Sequence, residues 1–202
     1  MGKFYKTRNG WAVEMALACA ESFQKTAEPF IERIAKDLPE GSLQETHERG
    51  FGDLIVSATN LAFALETYLK ILRAQLGLSV PKTHDLSKLY KDLPPKVRSE
   101  IENRYDDKGR SQPLPVRASI TLGKAIRQEV PVWQDYRQES KALGSLLERS
   151  KDVFKVWRYV FEGDPKEDGF QSYQFEYLLL LFACEAVRAA IRNRLDESIG
   201  ES

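Results

Sequence analysis

Apolar residues recur at three- and four-residue spacing along most of the chain, and the repeat is longest between residues 53 and 86. Leu54, Ala58, Leu61, Leu65, Tyr68, Leu69, Leu72 and Leu76 fall on one face of a helix. Phe63 and Ile71 lie off that face, with Val56 and Ala74 near Phe63. Apolar residues on two sides predict a helix that is central in a bundle or shared with a second subunit. Gly77 stands where a C-terminal cap belongs, and Pro81 lies in the following loop.

The same periodicity predicts a first helix over residues 11 to 38, striped by Trp11, Met15, Ala18, Phe23, Phe30, Ile31 and Ile34. Pro29 is expected to kink or split it. Ser42 and Glu45 have capping-box spacing, so a second helix begins at Leu43 and bends at Gly50 and Gly52, or starts afresh after Asp53. Thr83 or Asp85 caps a short helix running to about Lys91. Pro95 opens another, buried through Val97, Ile101 and Tyr105. Residues 106 to 117 read as a loop, and 118 to 133 suggest one short helix before Pro131.

A long helix is predicted from about Gln134 to Phe161, packing through Leu146, Val153, Phe154, Trp157, Val160 and Phe161. The last runs from about Phe170 to Glu197 through Phe175, Leu178, Leu179, Phe182 and Ala186. No stretch shows strand alternation. The expected class is all-α, a single helical domain spanning residues 1 to 202.

Composition narrows the functional classes. Thirty basic and thirty acidic residues cancel, so no global field draws in nucleic acid or an anionic membrane, although a local basic groove stays open. Cys19 and Cys184 sit in apolar helical runs and are expected to be reduced, buried thiols. Met1 to Asn9 is polar and does not resemble a signal peptide. The apolar run Tyr177 to Cys184 is too short to span a bilayer. The expectation is a cytoplasmic protein.

His47 and His84 are the two histidines, and no CxxC, HExxH or paired Asp cluster accompanies them, so no metal or other cofactor is expected. There is no phosphate-binding glycine loop, dinucleotide fingerprint or nucleophile elbow.

Two patches remain. In Thr83-His84-Asp85-Leu86, an imidazole beside a carboxylate suits acid–base work, while the same residues suit helix capping with His84 packed over the turn. In the second, Lys151, Lys155 and Arg158 share a helical stripe beside Trp157 and Tyr159, with Glu162 one turn on. That stripe suits phosphate binding, or a solvated face with an Arg158–Glu162 pair. Glu66 and Lys70 form a further pair on the central helix; buried there they need partners, and Arg158 is a candidate for Glu66. Arg188, Arg192 and Arg194 make a modest basic patch that the helix dipole accounts for.

Four ordered motifs, NLAFALETYLKIL (60–72), THDL (83–86), LPPKVRSEI (93–101) and FKVWRYVFE (154–162), resemble those of bacterial HEPN-like proteins. The resemblance covers the chain from Gly52 to the end of the last helix. It implies an up-and-down helical bundle, often a homodimer, of a kind found in toxin–antitoxin, abortive-infection and RNA-processing systems. Many such proteins are metal-independent ribonucleases marked by an arginine four to six residues before a histidine. Neither His47 nor His84 has that arginine, and no histidine follows Arg192-Asn193.

The resulting expectation is a dimeric, non-catalytic module that binds a protein or RNA. The alternatives are a divergent ribonuclease joining His84 to Arg158, with Tyr159 or Glu162 assisting, and a sensor of a small nucleotide ligand.

Overall fold

The computed structural model describes residues 13–37, 48–109, 118–122, 140–153 and 171–200. Helix α1 is Val13–Asp37, α2 is Glu48–Gln75, α3 is Leu86–Lys91 and α4 is Pro95–Gly109. Strand β1 is Ala118–Leu122, α5 is Leu143–Arg149, β2 is Gln171–Phe175 and α6 is Tyr177–Gly200. The fold class is the all-α one that the periodicity predicts, with one small ribbon added.

Helix α2 is the organising element. It packs along α1 and along α6, whereas α1 and α6 touch each other only marginally, so α2 lies between them. Its first stripe is buried from Leu54 through Leu72, and Ile71 and Ala74 on the second side are buried too. Phe63 closes against Phe23 of α1 edge to face, with ring centroids 4.6 Å apart. On this second side Ile71 and Ala74 are covered within the chain and Phe63 in part, while Val56 is exposed.

The span Gly52–Gln75 has the length and composition to cross a membrane. Here it is the inner helix. Two of the polar groups in this core are paired, Tyr68 Oη donating to Gln24 Oε1 at 2.9 Å and Ser57 Oγ to the Ala27 carbonyl at 3.2 Å. Buried Gln75 Oε1, at the end of α2, has no hydrogen-bond partner among the described residues. Burial pushes the Tyr68 phenol above its ordinary range and the Cys184 thiol likewise.

Several boundaries differ from the sequence expectation. Helix α1 runs on through Pro29, and α2 runs through Gly50 and Gly52. Helix α4 continues to Gly109, so 106 to 109 belong to it. The long helix expected from Gln134 is, over the described residues, the short α5 followed by a turn in which Ser150 N–H bonds the Leu146 carbonyl at 2.9 Å and Val153 N–H the Ser150 carbonyl at 3.1 Å. Cys19 is exposed, unlike Cys184, because its position on α1 faces away from α2.

The ribbon is the largest departure. Strands β1 and β2 pair antiparallel with Ile120 opposite Tyr173 and Ala118 opposite Phe175. Residues 118–122 thus form no helix, and the last helix starts at Tyr177, leaving Phe175 in β2. Over five residues a strand's period of two is hard to tell from a helical repeat. Arg149 pins this junction, its Nη2 and Nε reaching the buried Glu176 carboxylate at 2.9 and 3.2 Å.

Candidate functional site: the corner between α2 and α3

Local sequence builds this corner. At the end of α2, Gly77 takes a φ of +70°, its N–H bonds the Ala74 carbonyl at 3.1 Å, and Leu78 N–H bonds the Arg73 carbonyl at 2.9 Å. Those two bonds make a Schellman motif, which needs a left-handed residue at this place. Buried Arg73 then holds the returning loop: Nε donates to the Ser79 carbonyl at 3.0 Å, and Nη1 lies 3.5 Å from Asp92. Asp85 caps α3 by accepting from Lys88 N–H at 2.9 Å, and Thr83 Oγ1 accepts from Asp85 N–H at 3.1 Å. Thr83 and Asp85 divide the capping work between them.

The loop so fixed carries His84 back onto α2. Its Nδ1 lies 2.9 Å from Glu66 Oε2 and 3.1 Å from Oε1. Lys70, one turn after Glu66, donates to Oε1 at 2.6 Å. The Glu66 side chain is 3% exposed, that of Lys70 14% and that of His84 41%. A buried carboxylate is thus held between an ammonium and an imidazole, and the imidazole is half open to water.

The sequence places the acid–base partner of His84 at Asp85; the structure places it at Glu66, because the Asp85 carboxylate is occupied with the cap. The capping expectation holds for Thr83 and Asp85, and to it the structure adds the contact of His84 with Glu66. A neutral imidazole anchored this way carries its proton on Nδ1, which makes Nε2 the basic nitrogen.

Helix α3 also meets the turn after α5. Leu86 N–H bonds the Lys151 carbonyl at 3.3 Å. Glu148 Oε2 accepts from buried Ser87 Oγ at 2.7 Å and from Lys91 Nζ at 2.5 Å, while Lys151 Nζ stands 3.5 Å from its Oε1. These donors hold the Glu148 carboxyl down at about 2. Lys151, expected on a phosphate-binding stripe, is therefore paired.

Lys155, Arg158, Tyr159 and Glu162 lie outside the described residues, as does His47. The partners the structure gives Glu66 are Lys70 and His84. The C-terminal basic patch resolves in part into ion pairs, Arg192 with Glu21 and Arg194 with Glu100, the latter at 2.8 Å.

Sequence reasoning missed the Glu66–His84 contact and the group around Glu148. A signal for the first existed: an acid among the apolar positions of a two-sided helix requires a partner, and a histidine follows just past the helix end. For the second there was none, since Glu148 sits among ordinary charged residues. Among the described residues no cluster of three or more His, Cys, Asp or Glu side chains is arranged to hold a metal. Comparison of the chain with protein-family models, with curated proteins and with solved structures finds no match.

Proposed function

We propose that this chain is a HEPN-like cytoplasmic helical protein acting as a homodimeric binding module in a bacterial defence or RNA-related system, with RNA or a protein as its partner. The observation that supports a binding role over a catalytic one is how the motif charges are spent. Glu66 is held by Lys70 and His84, Asp85 by the cap of α3, and Lys151 by Glu148. A nuclease needs an acid–base group and a cation turned together toward one phosphate. These charges instead turn toward each other.

The direct test is incubation of purified protein with total RNA and tRNA in EDTA, alongside gel-shift binding to the same RNAs. Binding without cleavage, and a light-scattering mass of two 23.1-kDa chains, are expected. A monomer that retains no RNA and captures no protein overturns the reading.

One observation favours the second reading, a metal-independent ribonuclease. His84 is half exposed and its Nδ1 is oriented by a buried carboxylate, the arrangement of a positioned general base. Cleavage in EDTA that vanishes in both His84→Ala and Glu66→Gln, each still folded by circular dichroism, decides for it.

A further inference from the structure

We propose that Ser87, Lys91 and Lys151 form a binding site for phosphate groups, occupied in the resting protein by the chain's own Glu148 carboxylate. The choice of an RNA backbone as the natural source of that phosphate rests on the binding-module reading; the site itself does not.

Three donors converge on one acid. Ser87 Oγ and Lys91 Nζ reach Oε2 at 2.7 and 2.5 Å, and Lys151 Nζ stands 3.5 Å from Oε1. Ser87 and Lys91 lie one turn apart on α3, so they share a face. Lys151 comes from the turn after α5, and its backbone is tied to α3 by the Leu86 N–H bond to its carbonyl. The backbones that carry these donors are therefore brought together by α3 and by the Leu86–Lys151 bond rather than by Glu148, while the two ammonium groups reach in from half-exposed side chains. Buried Ser87 supplies a fixed hydroxyl, and the lysines supply two partly exposed ammonium groups.

A hydroxyl and two ammonium groups suit the several oxygens of a phosphate better than the two of a carboxylate. Glu148 is the displaceable member. It sits in the last turn of α5 with its side chain about half exposed at 48%, so it can turn into water without disturbing the core. Two other acids of this corner are committed elsewhere, Asp85 to Lys88 N–H and Asp92 to Arg73. With Glu148 turned away, the three donors face an incoming anion. The depressed titration of Glu148 is the mark of a position that favours negative charge.

The experiment titrates the full chain with inorganic phosphate, and separately with a short single-stranded RNA, by calorimetry at low salt. Wild type, Glu148→Gln, and Glu148→Gln combined with Lys91→Ala are compared after circular dichroism confirms their folds. Removing the resident charge is expected to tighten phosphate binding by about tenfold, and the double variant to lose that gain. Lys91→Glu, at an exposed position, provides an independent check and is expected to abolish the weak binding of the wild type. Phosphate binding no tighter in Glu148→Gln than in wild type, or unchanged in Lys91→Glu, overturns the site. Tighter phosphate with no RNA binding in any variant upholds the site and removes the RNA source. Equal RNA binding in all the variants, with phosphate unaffected, upholds an RNA-binding module and removes the site.

Discussion

The seam between α1 and α2 and the seam between α3 and α5 are joined by different forces. At the first, Leu54, Leu61, Leu65, Tyr68 and Ile31 are withdrawn from water, and the polar pairs are internal. At the second, Leu86, Leu89, Leu146 and Leu147 supply a small apolar floor, and the rim is a carboxylate gripped by a hydroxyl and two lysines. Apolar burial is not screened by salt and depends little on pH, whereas an exposed charge cluster is screened by salt and titrates with pH. The comparison teaches where this protein has rigidity to rely on and where it has groups free to exchange partners.

The sharpest way to break the contrast is to damage the first seam. Leu65 is fully buried midway along α2. Leu65→Ala should cost about 3 kcal/mol through lost burial and the cavity left behind. Urea unfolding at low and high salt is the measurement, and the loss should be the same in both.

Glu66 stands between the two regimes, a buried charge on α2 that reaches the corner feeding the second seam. Glu66→Ala removes the carboxylate that Lys70 and His84 share, and should cost about 2 kcal/mol, less than a fully buried pair because both partners keep some contact with water. A double-mutant cycle with His84→Ala separates the two shares. If Glu66→Ala and His84→Ala are simply additive, the contact contributes nothing to holding the loop.

What the sequence made legible follows the same divide. The Gly77 cap, the Asp85 cap and Pro95 at the head of α4 depend on residues a few places away, and each was readable. The two-sided burial of α2 was readable because periodicity reports a face without naming what covers it. Glu66 and His84 are 18 residues apart, and Ser87 and Glu148 are 61 apart. No local rule links such pairs, since their meeting depends on how the loop after Gly77 turns and how α5 docks. The ribbon was missed for a related reason: two five-residue strands are stabilised by each other, and neither carries enough period alone.

A smaller effect sharpens the role of the loop that joins the two regions. Gly77 holds a φ of +70°, and an added Cβ there would meet nothing within 4 Å. Gly77→Ala therefore costs backbone strain alone, about 1 kcal/mol. Thermal unfolding should show that modest loss, while the RNA gel shift remains unchanged.

The smallest effect at neutral pH, and the most informative about the second seam, belongs to Glu148. Its carboxyl is held at about 2, below its ordinary 4.5, by Lys91 and Ser87 foremost. A carboxylate depressed in the folded state adds stability that is present above the unfolded value and is lost as pH falls through the folded one. The contribution is therefore complete above about 4.5 and fades toward about 2. Glu148→Gln should therefore lose this contribution at neutral pH, a small one because the rim is exposed, converge with wild type as pH falls toward about 2, and so flatten the acid limb of a stability-against-pH curve. Added salt should flatten the wild-type limb in the same way by screening the lysines. An acid limb identical in wild type and Glu148→Gln, at both salt concentrations, shows that the α3–α5 seam is held by its apolar floor alone, and the contrast between the two seams then collapses.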